Sequence, residues 1–115
     1  IVVGVARGGI VPAFLLSSLL RTELAVLWFS FRGADNSIVH KSPRLTRSIN
    51  FDFKGKKILL VDDRPVTGQT FRAARESLRG ADLVKTFAVN GKADYSLYDE
   101  ECFMFPWKLE GKIKE

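Results

Sequence analysis

The chain has 115 residues, 46% of them hydrophobic and 27% charged, with a single cysteine and a net charge of +5. This length and composition predict one domain over residues 1–115 with a modest core, and one cysteine excludes an internal disulfide or a Cys/His zinc site. No run approaches the roughly 18 apolar residues of a membrane span and no cleavable signal is evident, which predicts a soluble, cytoplasmic protein without membrane contact.

Apolar runs and helical patterns alternate along the chain, as they do in α/β proteins. In chain order, the expected elements are strand 1–6, helix 9–20, strand 24–31, a strand or hairpin arm over 46–53, strand 57–61, helix 69–79, strand 83–89 and short strands 95–98 and 103–105. This order predicts an open, mostly parallel twisted sheet flanked by helices. Because the chain begins inside a strand and without Met, we also expect further sequence before residue 1.

A long connector between the second and third main strands carries the excess positive charge. Residues 32–57 contain seven cations and two acids, whereas the rest of the chain carries eleven of each. The connector lacks the interleaved aromatic residues of a nucleic-acid stacking surface, so we expect it to gather anions rather than bind nucleic acid. A solvated loop of a basic protein is the alternative interpretation.

Two carboxylates and a small polar loop follow the strand that ends at Val61. Asp62 and Asp63 stand at the carboxyl end of that strand, the edge of an open α/β sheet where ligands bind. Adjacent carboxylates there accept hydrogen bonds from ribose hydroxyls or help to hold a hydrated divalent cation. The loop 67–70, T-G-Q-T, offers hydroxyls, backbone N–H groups and the positive end of the following helix to one phosphate. The segment predicts a sugar-phosphate site.

A glycine-containing turn near the start of the chain is a second candidate. Residues 1–13 run from an apolar strand through Arg7, Gly8 and Gly9 into a helix. Glycines let backbone N–H groups approach a diphosphate closely, and the Arg7 guanidinium adds a charge-assisted contact. The alternative is an ordinary turn between a strand and a helix.

Three segments resemble a known family. Residues 58–70, I-L-L-V-D-D-R-P-V-T-G-Q-T, resemble the ribose-phosphate signature of the type I phosphoribosyltransferases, an apolar strand with an acidic pair followed by T-G-x-T. The run R-G-G-I-V-P-A at 7–13 is similar to the pyrophosphate loop of the xanthine-guanine branch, and F-M-F-P-W at 103–107 is similar to its closing I-V-F-P-W-E segment. The resemblance implies the family's fold, with a small C-terminal hood over the base.

The resemblance also implies an activity and a set of site residues. It implies transfer of the 5-phosphoribosyl group from phosphoribosyl diphosphate to a nucleobase, a 6-oxopurine in purine salvage, with release of pyrophosphate by a homodimer or larger homo-oligomer. Asp62 and Asp63 would be catalytic, with Mg²⁺ bound mainly by substrate oxygens and by Asp63 directly or through water. The 5-phosphate residues would be Val66, Thr67, Gly68, Gln69 and Thr70. The pyrophosphate residues would be Arg7, Gly8, Lys41 and Arg44.

The residues that would contact the base depart from the family pattern. Val89 stands where the xanthine-guanine branch has Lys, Cys102 where it has a stacking Trp, and Val66 where purine-using members often have Asp. Phe103 and Trp107 would complete the base site. Because the phosphate ligands are retained while the base contacts differ, two hypotheses remain. Either the acceptor is unusual, or the chain is a sensor that binds phosphoribosyl diphosphate or nucleotides with little or no turnover.

Other phosphate-binding folds fit the sequence less well. A phospho-receiver domain also ends a strand in an acidic pair, but T-G-Q-T three residues after the pair indicates a phosphate cradle, and no separate Asp followed by a strand-end Lys is evident. Neither the P-loop pattern G-x-x-x-x-G-K-[ST] nor the dinucleotide pattern G-x-G-x-x-G occurs.

Overall fold

The computed structural model describes residues 1–30, 43–101 and 103–107. The elements in chain order are β1 (Val2–Ala6), α1 (Ile10–Leu20), β2 (Leu24–Ser30), β3 (Arg44–Leu45), β4 (Lys57–Asp62), α2 (Gln69–Ser77), β5 (Leu83–Asn90) and β6 (Tyr95–Tyr98). The sheet has the order β3-β2-β1-β4-β5-β6, in which β3 is antiparallel and all other pairs are parallel. The predicted open, mostly parallel sheet is confirmed.

A helix packs on each face of the sheet. Helix α2 covers one face, where its residues Phe71, Ala74 and Leu78 join the buried strand residues Val3, Val5, Leu27, Ile58 and Leu60. Helix α1 covers the other face, where Ala13 packs against Val2 and Val61. Neighbouring residues of β1 therefore point to opposite cores, which is why this strand is apolar at every position except Gly4.

Two glycines bring the start of α1 onto the central strands. A Cβ added at Gly4 would lie 2.8 Å from the Cβ of Ala13, and one added at Gly9 would overlap the carbonyl oxygen of Val61. The backbones approach too closely at both points for any side chain. The turn between β1 and α1 is consequently held at the carboxyl edge of the sheet, next to the end of β4.

The strand or hairpin arm predicted over residues 46–53 is wrong. The antiparallel partner of β2 is the two-residue strand β3, and the segment that follows it is irregular. Its alternate apolar side chains pack against the core on the α2 side; they are Ile49, Phe51 and Phe53. The alternation of apolar and polar residues therefore indicated which side chains are buried. A β-strand also needs a neighbouring strand to which its backbone can hydrogen-bond, and this segment has none among the described residues.

The strand predicted over residues 103–105 is also wrong, because ring packing rather than backbone pairing holds this segment. The ring centroids of Phe103 lie 4.9 Å from those of Tyr98 and of Phe105, and Phe105 lies 5.4 Å from Trp107. Phe105 is only 4% exposed. The resulting aromatic row, Tyr98, Phe103, Phe105 and Trp107, forms the predicted C-terminal hood in the described residues.

Helix α1 has apolar residues on its outer side as well as its inner side. Its exposed large side chains are Val11, Phe14, Leu15, Leu19 and Leu20. Within the part of the chain that the structure describes, no helix is long and apolar enough to traverse a bilayer.

The single domain, the further N-terminal sequence and the homo-oligomer stay predictions.

Asp94 joins the start of β6 to β5 and α2. Its Oδ2 accepts hydrogen bonds from the N–H of Thr86 at 2.9 Å and from the Thr86 hydroxyl at 3.2 Å, and lies 3.3 Å from Nη2 of Arg75. The backbone hydrogen bond from Thr86 lowers the pKa of Asp94; burial opposes this shift, while the Thr86 hydroxyl and the charges of Lys85 and Arg75 reinforce it.

We predict that Asp94→Asn lowers the melting temperature by a few degrees at about pH 7, and that the deficit shrinks below about pH 3.9. The folded-state pKa lies below the unfolded value, so the stabilisation is present above the unfolded pKa and is lost as the pH falls through the folded one. Circular dichroism melts measure it. Asp82→Asn is the matched control, since Asp82 is an exposed acid bonded to Lys56 through its backbone N–H. A deficit that persists in acid would contradict the prediction.

Candidate functional site

The two candidate motifs meet at the carboxyl edge of the sheet. β1 and β4 are parallel neighbours, with Gly4 opposite Val61, so the turn after β1 lies beside the acidic pair after β4. The contact is close enough that a Cβ added at Gly8 would overlap the carboxylate of Asp63. Only a glycine at position 8 leaves room for the Asp63 carboxylate beside this turn.

The backbone fixes the orientation of both carboxylates. Asp62 is partly exposed and its Oδ1 accepts a hydrogen bond from the N–H of Asp63 at 2.8 Å. Asp63 is 6% exposed, and its Oδ1 accepts from the N–H of Arg64 at 2.6 Å. The Asp63 carbonyl accepts from the N–H of Asn90 at 2.8 Å, which ties the pair to the end of β5. Carboxylates held in this way are oriented before a ligand arrives.

The segment 66–70 forms a turn at the N-terminus of α2. Gly68 is the N-cap with φ 79°, a conformation that glycine adopts without strain, and the Thr67 hydroxyl oxygen accepts a hydrogen bond from the N–H of Gln69 at 3.2 Å. The Thr67 hydroxyl hydrogen is left to donate to another acceptor. No acid lies in the first turn of α2, so the positive end of the helix dipole is not offset there.

A cavity of about 280 Å³ opens over this turn. The described residues that line it are Asp62, Arg64, Pro65, Val66, Thr67, Gly68, Gln69 and Thr70. Asp62, the first member of the acidic pair, thus shares one cavity with the loop 67–70 predicted from the sequence, while the buried Asp63 lies behind it. This arrangement suits a phosphate joined to a polyhydroxylated sugar.

Arg72 is a candidate phosphate ligand that sequence reasoning missed. Its Nη1 would lie 3.3 Å from a Cβ added at Gly68, so the guanidinium is beside the turn. Helical side chains tilt toward the N-terminus, and a residue four positions into the helix therefore returns over its cap. That spacing, Gly68 to Arg72, is the signal that could have identified it.

The diphosphate residues predicted from the sequence are only partly brought together. Arg7 is exposed in a tight turn, in which the N–H of Ile10 donates to the Arg7 carbonyl at 3.1 Å and the Ala6–Arg7 peptide bond is cis. Gly8 lies against the acidic pair, as described above. Arg44 is exposed on β3, two strands from β1 and thus about 10 Å away across the sheet. Lys41 lies outside the described residues.

The acidic pair has the donor chemistry of a magnesium site that is completed by substrate. No group of three or more His, Cys, Asp or Glu side chains comes together among the residues that the structure describes. Mg²⁺ in phosphate-binding enzymes often takes one or two carboxylates and fills its octahedron with water and phosphate oxygens. Asp62 and Asp63 therefore fit an ion held mainly by the substrate, and do not form a complete protein cage.

The predicted base contacts lie around two different cavities. Val89, Phe103 and Trp107 line an apolar cavity of about 380 Å³ whose opposite wall is α1. Val66 is 84% exposed and lies instead on the loop beside the phosphate cavity. Cys102 lies outside the described residues. The hood and Val66 are therefore not brought together in the apolar cavity.

A polar cavity of about 200 Å³ lies on the hood side of Val66. Its described lining consists of Arg64, Pro65, Val66, Asn90, Gly91, Asp99, Glu100 and Glu101. It shares Arg64, Pro65 and Val66 with the phosphate cavity, so the two cavities adjoin along this segment. The sequence did not identify Asn90 or residues 99–101 as part of a cavity, because they lie outside the three segments from which the site was predicted.

Comparison with known proteins identifies a family for this chain. The family model described as phosphoribosyl transferase domain matches residues 1–110. A xanthine-guanine phosphoribosyltransferase from Chromohalobacter salexigens is 32% identical over 116 positions, covering 94% of this chain and 68% of that protein. A bifunctional protein PyrR from Caldicellulosiruptor saccharolyticus is 35% identical over 83 residues, covering 66% of this chain and 46% of the relative, about half its length.

Solved structures give the same result for the fold. A purine phosphoribosyltransferase from Pyrococcus horikoshii has a TM-score of 0.79 at 30% identity, covering 99% of this chain and 81% of that chain. A hypoxanthine-guanine phosphoribosyltransferase from Bacillus anthracis shares the fold with a TM-score of 0.68 at 16% identity, covering 89% of this chain and 68% of that chain. With the family model spanning nearly all of its residues, the chain belongs to the phosphoribosyl transferase domain family.

Proposed function

We propose that this protein transfers the 5-phosphoribosyl group from phosphoribosyl diphosphate to a 6-oxopurine and releases pyrophosphate, as a cytoplasmic purine salvage enzyme that uses Mg²⁺. The observation that carries the proposal is the contact of Gly8 with Asp63, beside the phosphate cavity. This contact supports the proposal because the glycine turn lies against the acidic pair, and Asp62 of that pair borders the loop 66–70. The similarity to a xanthine-guanine phosphoribosyltransferase supports the choice of base.

In this reaction a ring nitrogen of the base forms a bond to C1 of the ribose and loses its proton to solvent, while the C1–O bond breaks and the diphosphate leaves with the electron pair. The segment 66–70 would hold the 5-phosphate. Asp62 and Asp63 would accept hydrogen bonds from the ribose hydroxyls, and their charge would stabilise the positive charge that develops on the sugar. Arg7 and the backbone of Gly8 would stabilise the leaving diphosphate. The protein thus contributes chiefly by positioning and charge stabilisation.

Mg²⁺, when bound, would supply neutralisation of the diphosphate oxygens. Asp63, directly or through water, and Asp62 would hold it on the protein side. Lys41 and Arg44 remain predicted contacts of the diphosphate.

The second candidate function is a sensor that binds phosphoribosyl diphosphate or nucleotides with little or no turnover. The observation in its favour is the side chain at position 66, an exposed valine beside the phosphate loop that can neither take nor position a proton. Incubation with phosphoribosyl diphosphate, Mg²⁺ and a panel of bases distinguishes the two functions, because only the enzyme releases pyrophosphate in a base-dependent manner.

Replacement of the acidic pair tests the proposed catalytic role. We expect Asp62→Asn with Asp63→Asn to abolish base-dependent pyrophosphate release and to shift the melting temperature little, because asparagine keeps the shape of aspartate and removes its charge. A coupled pyrophosphate assay measures the effect, and Asp82→Asn on the exposed turn after α2 serves as the control. Full activity in the double variant would rule out the catalytic role.

Two glycines with nearly equal φ angles test the phosphate loop. Gly68 has φ 79° and Gly55 has φ 71°, so alanine costs each a similar strain of about 1–2 kcal/mol. Gly55 has open space around it and lies in the turn before β4, remote from the loop. We expect Gly68→Ala to weaken ribose 5-phosphate binding at least about tenfold by calorimetry, equivalent to one lost charge-assisted hydrogen bond. Gly55→Ala should bind normally; equal losses in both variants would show that the loop is not the phosphate site.

Val66→Asp tests whether a missing proton acceptor limits turnover. We predict that the substitution raises turnover with hypoxanthine or guanine at least roughly tenfold, which is below the usual 10²- to 10⁴-fold effect of general base catalysis because the introduced acid is not ideally placed. The affinity for phosphoribosyl diphosphate should stay similar, since residue 66 would contribute its backbone to the loop while its side chain is 84% exposed, where solvent and salt screen the added charge. Steady-state kinetics measure both quantities. Unchanged turnover would mean that proton transfer is not the deficit.

A further inference from the structure

Asn90 is a nearly fully buried polar side chain at the end of β5, with an exposure of 1%. Its Nδ2 donates to the Glu100 carbonyl at 2.8 Å, and its Oδ1 accepts from the Glu100 N–H at 2.7 Å. The amide therefore pairs with Glu100 as a neighbouring strand would. Its own N–H donates to the Asp63 carbonyl at 2.8 Å, so one residue joins the acidic pair to residues 99–101.

Arg64, which precedes the loop 66–70, makes a second hydrogen bond to residues 99–101. Nη2 of Arg64 donates to the Glu101 carbonyl at 3.2 Å. Residues 99–101 are thereby attached at two successive carbonyls, and they form one wall of the 200 Å³ polar cavity that adjoins the phosphate cavity at Val66. A ribose whose phosphate lies in the loop can direct a base into this neighbouring cavity.

We propose that Asn90 is a positioning residue that sets residues 99–101 as a hydrogen-bond-accepting edge for the base, and that this edge selects guanine over xanthine. The inference rests on the proposed function and names its preferred base. Three acidic residues, Asp99, Glu100 and Glu101, belong to the wall, and Arg64 is the one cation among the described residues that line the cavity. The N1–H and 2-amino groups of guanine donate to such acceptors, whereas the 2-oxo group of xanthine is repelled by them.

The side chain of Asn90 acts through the backbone of the wall. Because both of its polar groups bond to Glu100, it touches the wall rather than offering a group to the base. Without the side-chain amide of Asn90, residues 99–101 are no longer held at a fixed distance from Val66, and the preference for guanine over xanthine falls. Phosphate binding, which depends on the loop 66–70, is unaffected.

The test is calorimetric titration of GMP, XMP and ribose 5-phosphate into the wild type, Asn90→Ala and the control Asn50→Ala, an exposed asparagine in the irregular segment before β4. In the wild type we expect GMP to bind at least about tenfold more tightly than XMP, the effect of one hydrogen bond to a charged acceptor. Asn90→Ala should reduce this ratio to within about threefold of unity and leave ribose 5-phosphate affinity unchanged. Asn50→Ala should behave as the wild type.

A second variant removes the acceptors without disturbing the buried amide. Asp99→Asn with Glu100→Gln and Glu101→Gln alters only exposed side chains and keeps the backbone bonds to Asn90, so it tests the edge even if Asn90→Ala fails to fold. We expect it to lower the ratio of GMP to XMP affinity by the same factor.

The outcomes separate this inference from the proposed function. If ribose 5-phosphate does not bind to the wild type, the proposed function is wrong and the inference falls with it. If ribose 5-phosphate binds but the wild type does not prefer GMP to XMP, the role of Asn90 is wrong while the proposed function stands. The same conclusion holds if both variants keep the preference. If the preference for GMP is lost in Phe103→Ala but kept in both of these variants, the base lies in the apolar cavity. That result would also overturn the role of Asn90.

Discussion

The site depends on the close approach of Gly8 to the Asp63 carboxylate. Since a single Cβ at position 8 would occupy the space of that carboxylate, the turn after β1 and the acidic pair after β4 are compatible only without a side chain there. Gly4 and Gly9 impose the same closeness between β1, β4 and the start of α1. Groups distant in the sequence therefore lie together at the carboxyl edge of the sheet, at the ends of strands that are buried and close-packed.

The strands β1 and β4 and the helix α2 were predictable because their local sequence pattern favours the same secondary structure that their packing in the fold requires. β1 and β4 are apolar runs ending at turn or acidic residues, and α2 begins at a glycine that stays in the left-handed region. Residues 46–53 and 103–105 were wrongly predicted because their apolar side chains pack on the core or on each other while their backbones have no strand beside them. Periodicity reports which side chains are buried; it does not report pairing partners.

The same limit separates the predictable part of the candidate site from the rest. Asp62, Asp63 and Gly8 belong to short contiguous motifs, so their positions at a sheet edge follow from the strands that precede them. Asn90 and Arg72 acquire their positions only through the fold: one pairs with a backbone ten residues further on, and the other lies one helical turn beyond the cap it covers. No local pattern in the sequence distinguishes this asparagine from an ordinary turn residue.

The proposed site combines the acidic wall, residues 99–101, with the loop 66–70, and the interaction energies show how the two coexist. The carboxylates of residues 99–101 are exposed, and charges 4 Å apart in water interact by only about 1 kcal/mol, less when salt screens them. Backbone N–H groups and a helix N-terminus in the loop 66–70 act on a phosphate at hydrogen-bond distance, where directional contacts outweigh diffuse repulsion. A base enclosed between the wall and Val66 would displace water from the carboxylates and strengthen their hydrogen bonds. The wall therefore affects the identity of the base far more than the affinity for the phosphate.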